Sequence, residues 1–482
     1  MLPRCGIRRR TAFLTDVEGD LSYFIRYTEL SKVVTWSNGA LAFRDNTSHF
    51  VYGGDVFDRG DDLGFSKALI KFYDTHPTRV HLILGNRDIN KMVFGLTMRQ
   101  MLEEAQLSPE MAQRLLFPIT LANYSGEGKK FLSYPEYLRE KGLPPKMSKT
   151  TFVQWALTYK MGAASTFKYR LRELKQERGD NVTDEDVAQS FLDAASPGGV
   201  YYEYLKRGKI ADIVDGALFV HGIVANLNVG FVPSKQSFIE NEPVQGCNFM
   251  TNCGSAEEWV NALNNFKEEG FREWGSGGSG IFLRQYAYPV SVVPYSVVVQ
   301  SLVGLNGPKY LELDAVEFLN RSGVTTVCGG HKPSGDSPSI VQQPGLISLA
   351  ADNSYCGGDG TRGASCMEVL IEEDGAVRVH GLRADGAPYD FEATGRLLGR
   401  HLGGGWWVKL KLSDNLYEAQ RTYDGYRSKE VQLLTADEVE KRLSEWNQPP
   451  IGGEAPKRWS EKELAPRPKV LKTKRSPHSG DG

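Results

Sequence analysis

The run Gly54-Asp-Val-Phe-Asp-Arg-Gly60 decides how this chain is read, because of what precedes it. The apolar stretch 48–53 leads into it and reads as a β-strand. The same arrangement occurs on either side. Residues 11–15 precede Asp16-Val-Glu-Gly-Asp20, and residues 79–84 precede Gly85-Asn-Arg-Asp88. Carboxylates and an amide carried just past successive strand ends converge on the carboxyl edge of a sheet, where open α/β folds place their sites. Two later strand-like runs end in histidine: Ala217–Val220 before His221, and 324–328 before Gly-Gly-His331. Hard oxygen ligands beside imidazoles are what a divalent cation requires.

A two-metal hydrolase holds its ions roughly 3.5–4 Å apart, so that one hydroxide bridges them and attacks phosphorus in line. One carboxylate then serves both ions. Asp55, on the middle strand of the first three, fits that place. Asp16 and Glu18, two residues apart, share a face and would hold the first ion. Asn86, His221 and His331 would hold the second. Mixed oxygen and imidazole ligands suit Mn, Fe or Zn.

These five blocks, in this order over 16–331, resemble the calcineurin-like metallophosphoesterase superfamily, whose pattern is Asp-x-(His)-Gly-Asp, Gly-Asp-x-x-Asp-Arg-Gly, Gly-Asn-(His)-Asp/Glu, His-Gly and Gly-His. The Asp58-Arg59 pair looks like the protein Ser/Thr phosphatase and diadenosine-tetraphosphatase branches. The resemblance implies a four-layer α/β/β/α sandwich with a bimetal site on one edge. It also implies hydrolysis of phosphate esters or nucleotide phosphoanhydrides.

Two departures matter. Glu18 stands where the family has His, which adds negative charge and biases the site toward Mn, with Mg as another hard candidate. Arg87 stands where the family has the His assigned to protonate the leaving group, and a guanidinium keeps its proton. Arg87 and Arg59 are instead candidates to clamp phosphate oxygens. The family's Asp-His contact suggests Asp58 pairing with Arg87. Leaving-group protonation would fall to metal-bound water, Asp20 or Asp88, or be unnecessary for an acidic leaving group. Lys332, beside His331, is a further substrate-facing candidate. A different class of reading is a catalytically weak scaffold that keeps the metal ligands and binds partners through its C-terminal strands.

At 482 residues the chain has length for roughly two to three domains. Its net charge of −2 supplies no basic field for nucleic acid. The six cysteines lack paired zinc spacing and read as reduced thiols. No apolar run reaches the roughly 20 residues of a membrane span, and no signal-peptide pattern opens the chain, so a cytoplasmic or nuclear location is expected. The expected partner is a phosphorylated small molecule, nucleotide or protein.

A metallophosphoesterase domain is expected over 11–395, with a helical insertion at 90–210 that includes helices at 96–104 and 109–116. Its Arg170 and Arg172 are expected on a solvated helix face. Glycine-rich loops are expected at 274–280 and 355–363. A small β-rich module would occupy 400–446, and a disordered basic tail 447–482.

Overall fold

The computed structural model describes residues 9–95, 132–146, 148–239, 244–304, 307–353, 363–423 and 428–445. Helices expected over 96–104 and 109–116, nearly all of the 355–363 loop and the tail from 447 lie outside them.

The fold is mixed α/β, with two large sheets. Their strands are β1 (Arg10–Leu14), β2 (His49–Tyr52), β3 (Val80–Leu82), β4 (Ala211–Val214), β5 (Ala217–Val220), β6 (Thr326–Gly329), β7 (Ser339–Gln343), β8 (Leu346–Ala350), β9 (Cys366–Glu372), β10 (Val377–Leu382) and β11 (Pro388–Glu392). One sheet has the order β11-β10-β9-β1-β2-β3 and the other β7-β8-β6-β5-β4. β1, β2 and β3 are parallel, as are β5, β6 and β8. Parallel neighbours end at one edge, so the residues after β1, β2 and β3 are brought side by side, and so are those after β5 and β6. β3 is shorter than its apolar run because the chain changes partner there. Ile83 pairs with Lys209 in an isolated bridge, and Leu84 N–H donates to Lys209 O at 2.8 Å.

The helices that bear on the site are α1 (Leu21–Leu30), α2 (Asp62–Thr75), α3 (Asn86–Asn90), α4 (Thr166–Arg178), α5 (Asp184–Ala194), α6 (Val200–Arg207), α7 (Ala256–Gly275) and α8 (Leu313–Arg321). The near-continuous apolar strands bury both faces. Phe13 and Val51 join one apolar cluster with Phe219, Cys328 and Leu349 of the other sheet, and the Phe13 and Phe219 rings are 5.3 Å apart. Ala12, Leu14, Phe50 and Tyr52, on the opposite face, cluster with Tyr23, Phe24 and Tyr27 of α1 and Phe65, Leu69 and Phe72 of α2. Leu218, Val220 and Val327 share that larger cluster with Trp259 and Leu263 of α7 and with Val316 and Leu319 of α8. α7 runs on to Gly275, so the first residues of the expected 274–280 loop are helical.

The described residues from 132 to 207 are largely helical. They dock on the first sheet's helical side. Glu173 accepts from Leu63 N–H and Gly64 N–H, both at 2.9 Å, at the start of α2. Tyr204 Oη donates to Ile83 O at 3.0 Å. Arg170 corrects the expectation of a solvated face: its guanidinium is buried, 2.8 Å from Tyr201 Oη and 3.3 Å from Ser190 Oγ. Arg172 is exposed and pairs with Asp61 at 3.5 Å.

The C-terminal part forms a four-stranded sheet of β12 (His401–Gly403), β13 (Trp406–Ser413), β14 (Leu416–Tyr423) and β15 (Ser428–Thr435), in that order. Val408, Leu410, Ala419 and Leu434 join the inter-sheet cluster around Phe13. This sheet is therefore packed onto the main body. No helix among the described residues is long and apolar enough to cross a membrane.

Candidate metal centre

The loops after the parallel strands are stitched to one another before any side chain is considered. Asp16 N–H donates to Gly54 O, and Glu18 N–H to Asp55 O, each at 3.0 Å. Asp88 completes the frame: its carboxylate accepts from Gly85 N–H (2.8 Å), Asp55 N–H and Val56 N–H (both 2.9 Å). Tyr52 Oη accepts from Val17 N–H and donates to Asp55 O, both at 3.1 Å.

The frame holds unusual backbone. Of the eight non-glycine residues with positive φ among the described residues, five are Asp16 (57°), Glu18 (54°), Asp55 (54°), Asp58 (110°) and His331 (70°). Left-handed backbone at such residues costs of order 1–3 kcal/mol each and persists where the surroundings enforce it. The adjoining glycines answer to close approach. A Cβ on Gly85 would lie 2.1 Å from Asp55 Oδ1, and one on Gly330 would lie 2.2 Å from Asp16 Oδ2.

Two clusters of candidate ligands result, and they share one residue. Asp16, Glu18 and Asp55 each offer an oxygen, with these atoms within 4.8 Å of one another; Asp55, His221 and His331 form a second such group. Asn86 Oδ1 is 3.2 Å from His221 Nε2, which is 3.3 Å from Asp55 Oδ1. His221 Nδ1 is 2.9 Å from Gly53 O. A carbonyl oxygen only accepts, so Nδ1 carries hydrogen. In the neutral ring the Nε2 lone pair then faces Asp55 and Asn86, the orientation that backbone carbonyls commonly give metal-ligating imidazoles. His331 N–H donates to Asp16 Oδ2 at 3.1 Å.

The electrostatics show a site crowded with buried negative charge. Burial, Asp352 and Asp55 push Asp16 well above the usual carboxylate range. Burial and Asp55 push Asp88 up to about 7. Burial opposes ionisation of Asp55, but His221 and Arg87 outweigh it and hold Asp55 below the usual range. Burial likewise opposes protonation of His221, yet Asp55 and Asp16 push it up to about 10. A divalent cation is a strong counterion for this donor set.

The arginines stand on the same carboxylates. Arg87 Nε is 3.0 Å from Glu18 Oε1 and 3.4 Å from Asp55 Oδ2, and its Nη1 donates to Asp58 Oδ2 at 3.2 Å. Arg59 pairs through Nε with Glu18 Oε2, and its N–H donates to Glu18 O at 2.7 Å. The Arg59 side chain is 35% exposed and that of Arg87 is 15%, so Arg59 is the more accessible to solvent. Lys332 follows His331, and its charge helps burial push His331 well below the usual imidazole range. Asp20 caps α1, accepting from Tyr23 N–H at 2.9 Å.

Several neighbours were not singled out from the sequence. Lys91 is fully buried, with Nζ 2.6 Å from Asp58 Oδ1 and 3.1 Å from Arg87 O. Thr166 Oγ1 donates to Asp58 O at 2.6 Å, and Asp62 Oδ1 accepts from Asp58 N–H at 2.9 Å. Asp352, just past β8, bears on Asp16. The rule that exposed Asp16 and Asp55, a ligand-type residue after a parallel strand, applies equally to Asp352 and would have found it. Lys91, four residues after Arg87 and followed by the apolar run 92–94, had only its spacing to mark it.

No protein-family model and no curated protein matches the chain. Among solved structures, the chain is similar to a protein serine/threonine phosphatase from Saccharomyces cerevisiae that is described as similar to human phosphatase PP5. The identity is 10%, the TM-score 0.34, and the match covers 76% of this chain and 73% of that one.

Proposed function

We propose that this chain is a metal-dependent phosphoesterase of the calcineurin-like metallophosphoesterase kind. We read its two sheets and flanking helices as the α/β/β/α sandwich. The observation that carries the reading is Asp55, which belongs to both candidate ligand clusters. Asp16, Glu18 and Asp55 would hold one ion, and Asp55, Asn86, His221 and His331 the other. Carboxylate-rich donors with two imidazoles fit Mn best, with Fe, Zn or Mg compatible. Divalent ions bound there supply Lewis-acid polarisation of a phosphoryl oxygen and lower the pKa of water.

The chain's own residues set the rest. Arg59, the more accessible guanidinium, receives phosphate oxygens, and Arg87 stabilises the negative charge that builds on them. Asp58 and Lys91 fix Arg87 in place. His221 presents Nε2 because Gly53 O holds its Nδ1–H. Asp88 positions the loops rather than transferring a proton, since its oxygens are taken by three backbone N–H groups. Without an imidazole at position 87, the site favours esters and anhydrides whose leaving group departs unprotonated. Nucleotide phosphoanhydrides belong to that class.

Turnover of p-nitrophenyl phosphate with Mn, against an Asp55→Asn control, tests the reading. Activity lost in the control supports it. Bound metal without turnover would favour the scaffold reading instead.

A further inference from the structure

Lys409, on β13, has its side chain buried against the loop that follows His331. The residue is 2% exposed. Its Nζ donates to Ser334 O, to Ser337 O at 2.9 Å and to Ser337 Oγ at 3.2 Å. These hydrogen-bond partners are a loop's own backbone and a hydroxyl, and the carboxylates of Glu418 and Asp336 also favour the charged ammonium. Burying an ammonium is expensive unless it is hydrogen-bonded and paired, so removing Lys409 would leave these loop oxygens without their donor. Here three oxygens of a single loop, residues 332–337, converge on one cation.

The loop is held on its other side by the main body. Ser334 N–H donates to Asp352 O at 2.6 Å, and Ser334 Oγ to Ala350 O at 2.8 Å. Tyr389 Oη donates to Asp336 O at 2.9 Å. Gly335, at φ 87°, makes the bend, and a Cβ there would sit 3.5 Å from Lys409 Nζ. His331 itself has left-handed backbone, and its N–H reaches Asp16 Oδ2. A strained ligand needs its loop fixed from both ends. Asp16 fixes one end, and Lys409 reaches the other from a separate sheet.

We propose that Lys409 is a positioning residue for His331, and that through it the C-terminal sheet sets occupancy of the His221–His331 side of the metal centre. The proposal rests on the phosphoesterase reading and adds that the sheet of β12 to β15 is part of the site's support.

The test uses the full chain with Mn alone as probe. Mn binding is followed by calorimetry and by the electron paramagnetic resonance signal of a coupled ion pair. The wild type should bind two ions with a coupled signal. Lys409→Met should keep one site and weaken the other at least tenfold, losing the coupling. Lys409→Arg, which retains a charged donor, should recover most of it. Lys411→Met, whose ammonium pairs with Asp414 at 2.8 Å, should match the wild type. Lys409→Met binding both ions like the wild type overturns the inference and leaves the phosphoesterase reading intact. A wild type that binds no Mn overturns both. Should Lys409→Met not fold, amide exchange in the wild type decides. Residues 332–337 and 406–413 should open together in rising denaturant, and independent opening overturns the proposal.

Discussion

Arg87 Nε lies 3.0 Å from Glu18 Oε1, so the two positions at which this chain differs from the metallophosphoesterase pattern it resembles touch each other. A carboxylate replaces an imidazole at one, a guanidinium replaces an imidazole at the other, and the new charges cancel. Each charge has further partners, Arg59 for Glu18, and Asp58 and Asp55 for Arg87. Together they form a pair that Asp58, Asp55 and Arg59 extend into a network.

That relationship predicts non-additivity. Arg87→Ala leaves Glu18 to Arg59 and Asp58 to Lys91, and should destabilise the protein by about 2 kcal/mol, the usual scale for losing hydrogen bonds between charged groups. Adding Glu18→Ala should return part of that loss, leaving a coupling of about 1 kcal/mol or more. Urea unfolding of the two single variants and the double variant measures it. Strictly additive losses would dissolve the pair.

Leaving-group chemistry gives a second expectation. Rates should fall steeply as the leaving-group pKa rises across a series of aryl phosphates, because Arg87 has no proton to give. Arg87→His should flatten the slope by restoring an imidazole, even if its best rate is lower. Equal slopes in both proteins would count against the assignment.

Asp62 supplies a pH prediction away from the ligands. Burial pushes its carboxyl up to about 8 from an ordinary 3.8, with Asp58 adding to the rise and Arg170 opposing it. The folded chain therefore keeps a proton that the unfolded chain has already released. The contribution to stability is present below pH 4 and falls as pH rises from about 4 to about 8, by up to about 1.4 kcal/mol per pH unit. Asp62→Asn keeps the acceptor for Asp58 N–H and cannot ionise. It should stabilise the protein at pH 8–9 and lose that advantage toward pH 5. Thermal melts across this range check it, and an advantage that grows as pH falls would contradict it.

The parallel strands were legible because their apolar runs are short and end in polar loops. Asp16, Asp55, Asn86, His221 and His331 were legible as residues just past those ends. Three buried charges were not. Arg170, Lys91 and Lys409 are buried by virtue of partners distant in the chain, and a cation's sequence neighbours look the same whether it is solvated or enclosed. The contact between Glu18 and Arg87 was hidden for the same reason. Each could be judged only against the pattern the sequence resembles, whereas their compensation depends on two loops folding against each other.

Whether Asp55 serves two ions at once is tested most directly by the Mn stoichiometry of the purified chain. Two ions per wild-type chain, falling to one or fewer in Asp55→Asn with the fold retained, is the predicted result. A wild-type chain that binds no Mn, or an Asp55→Asn chain that still binds two, would contradict it.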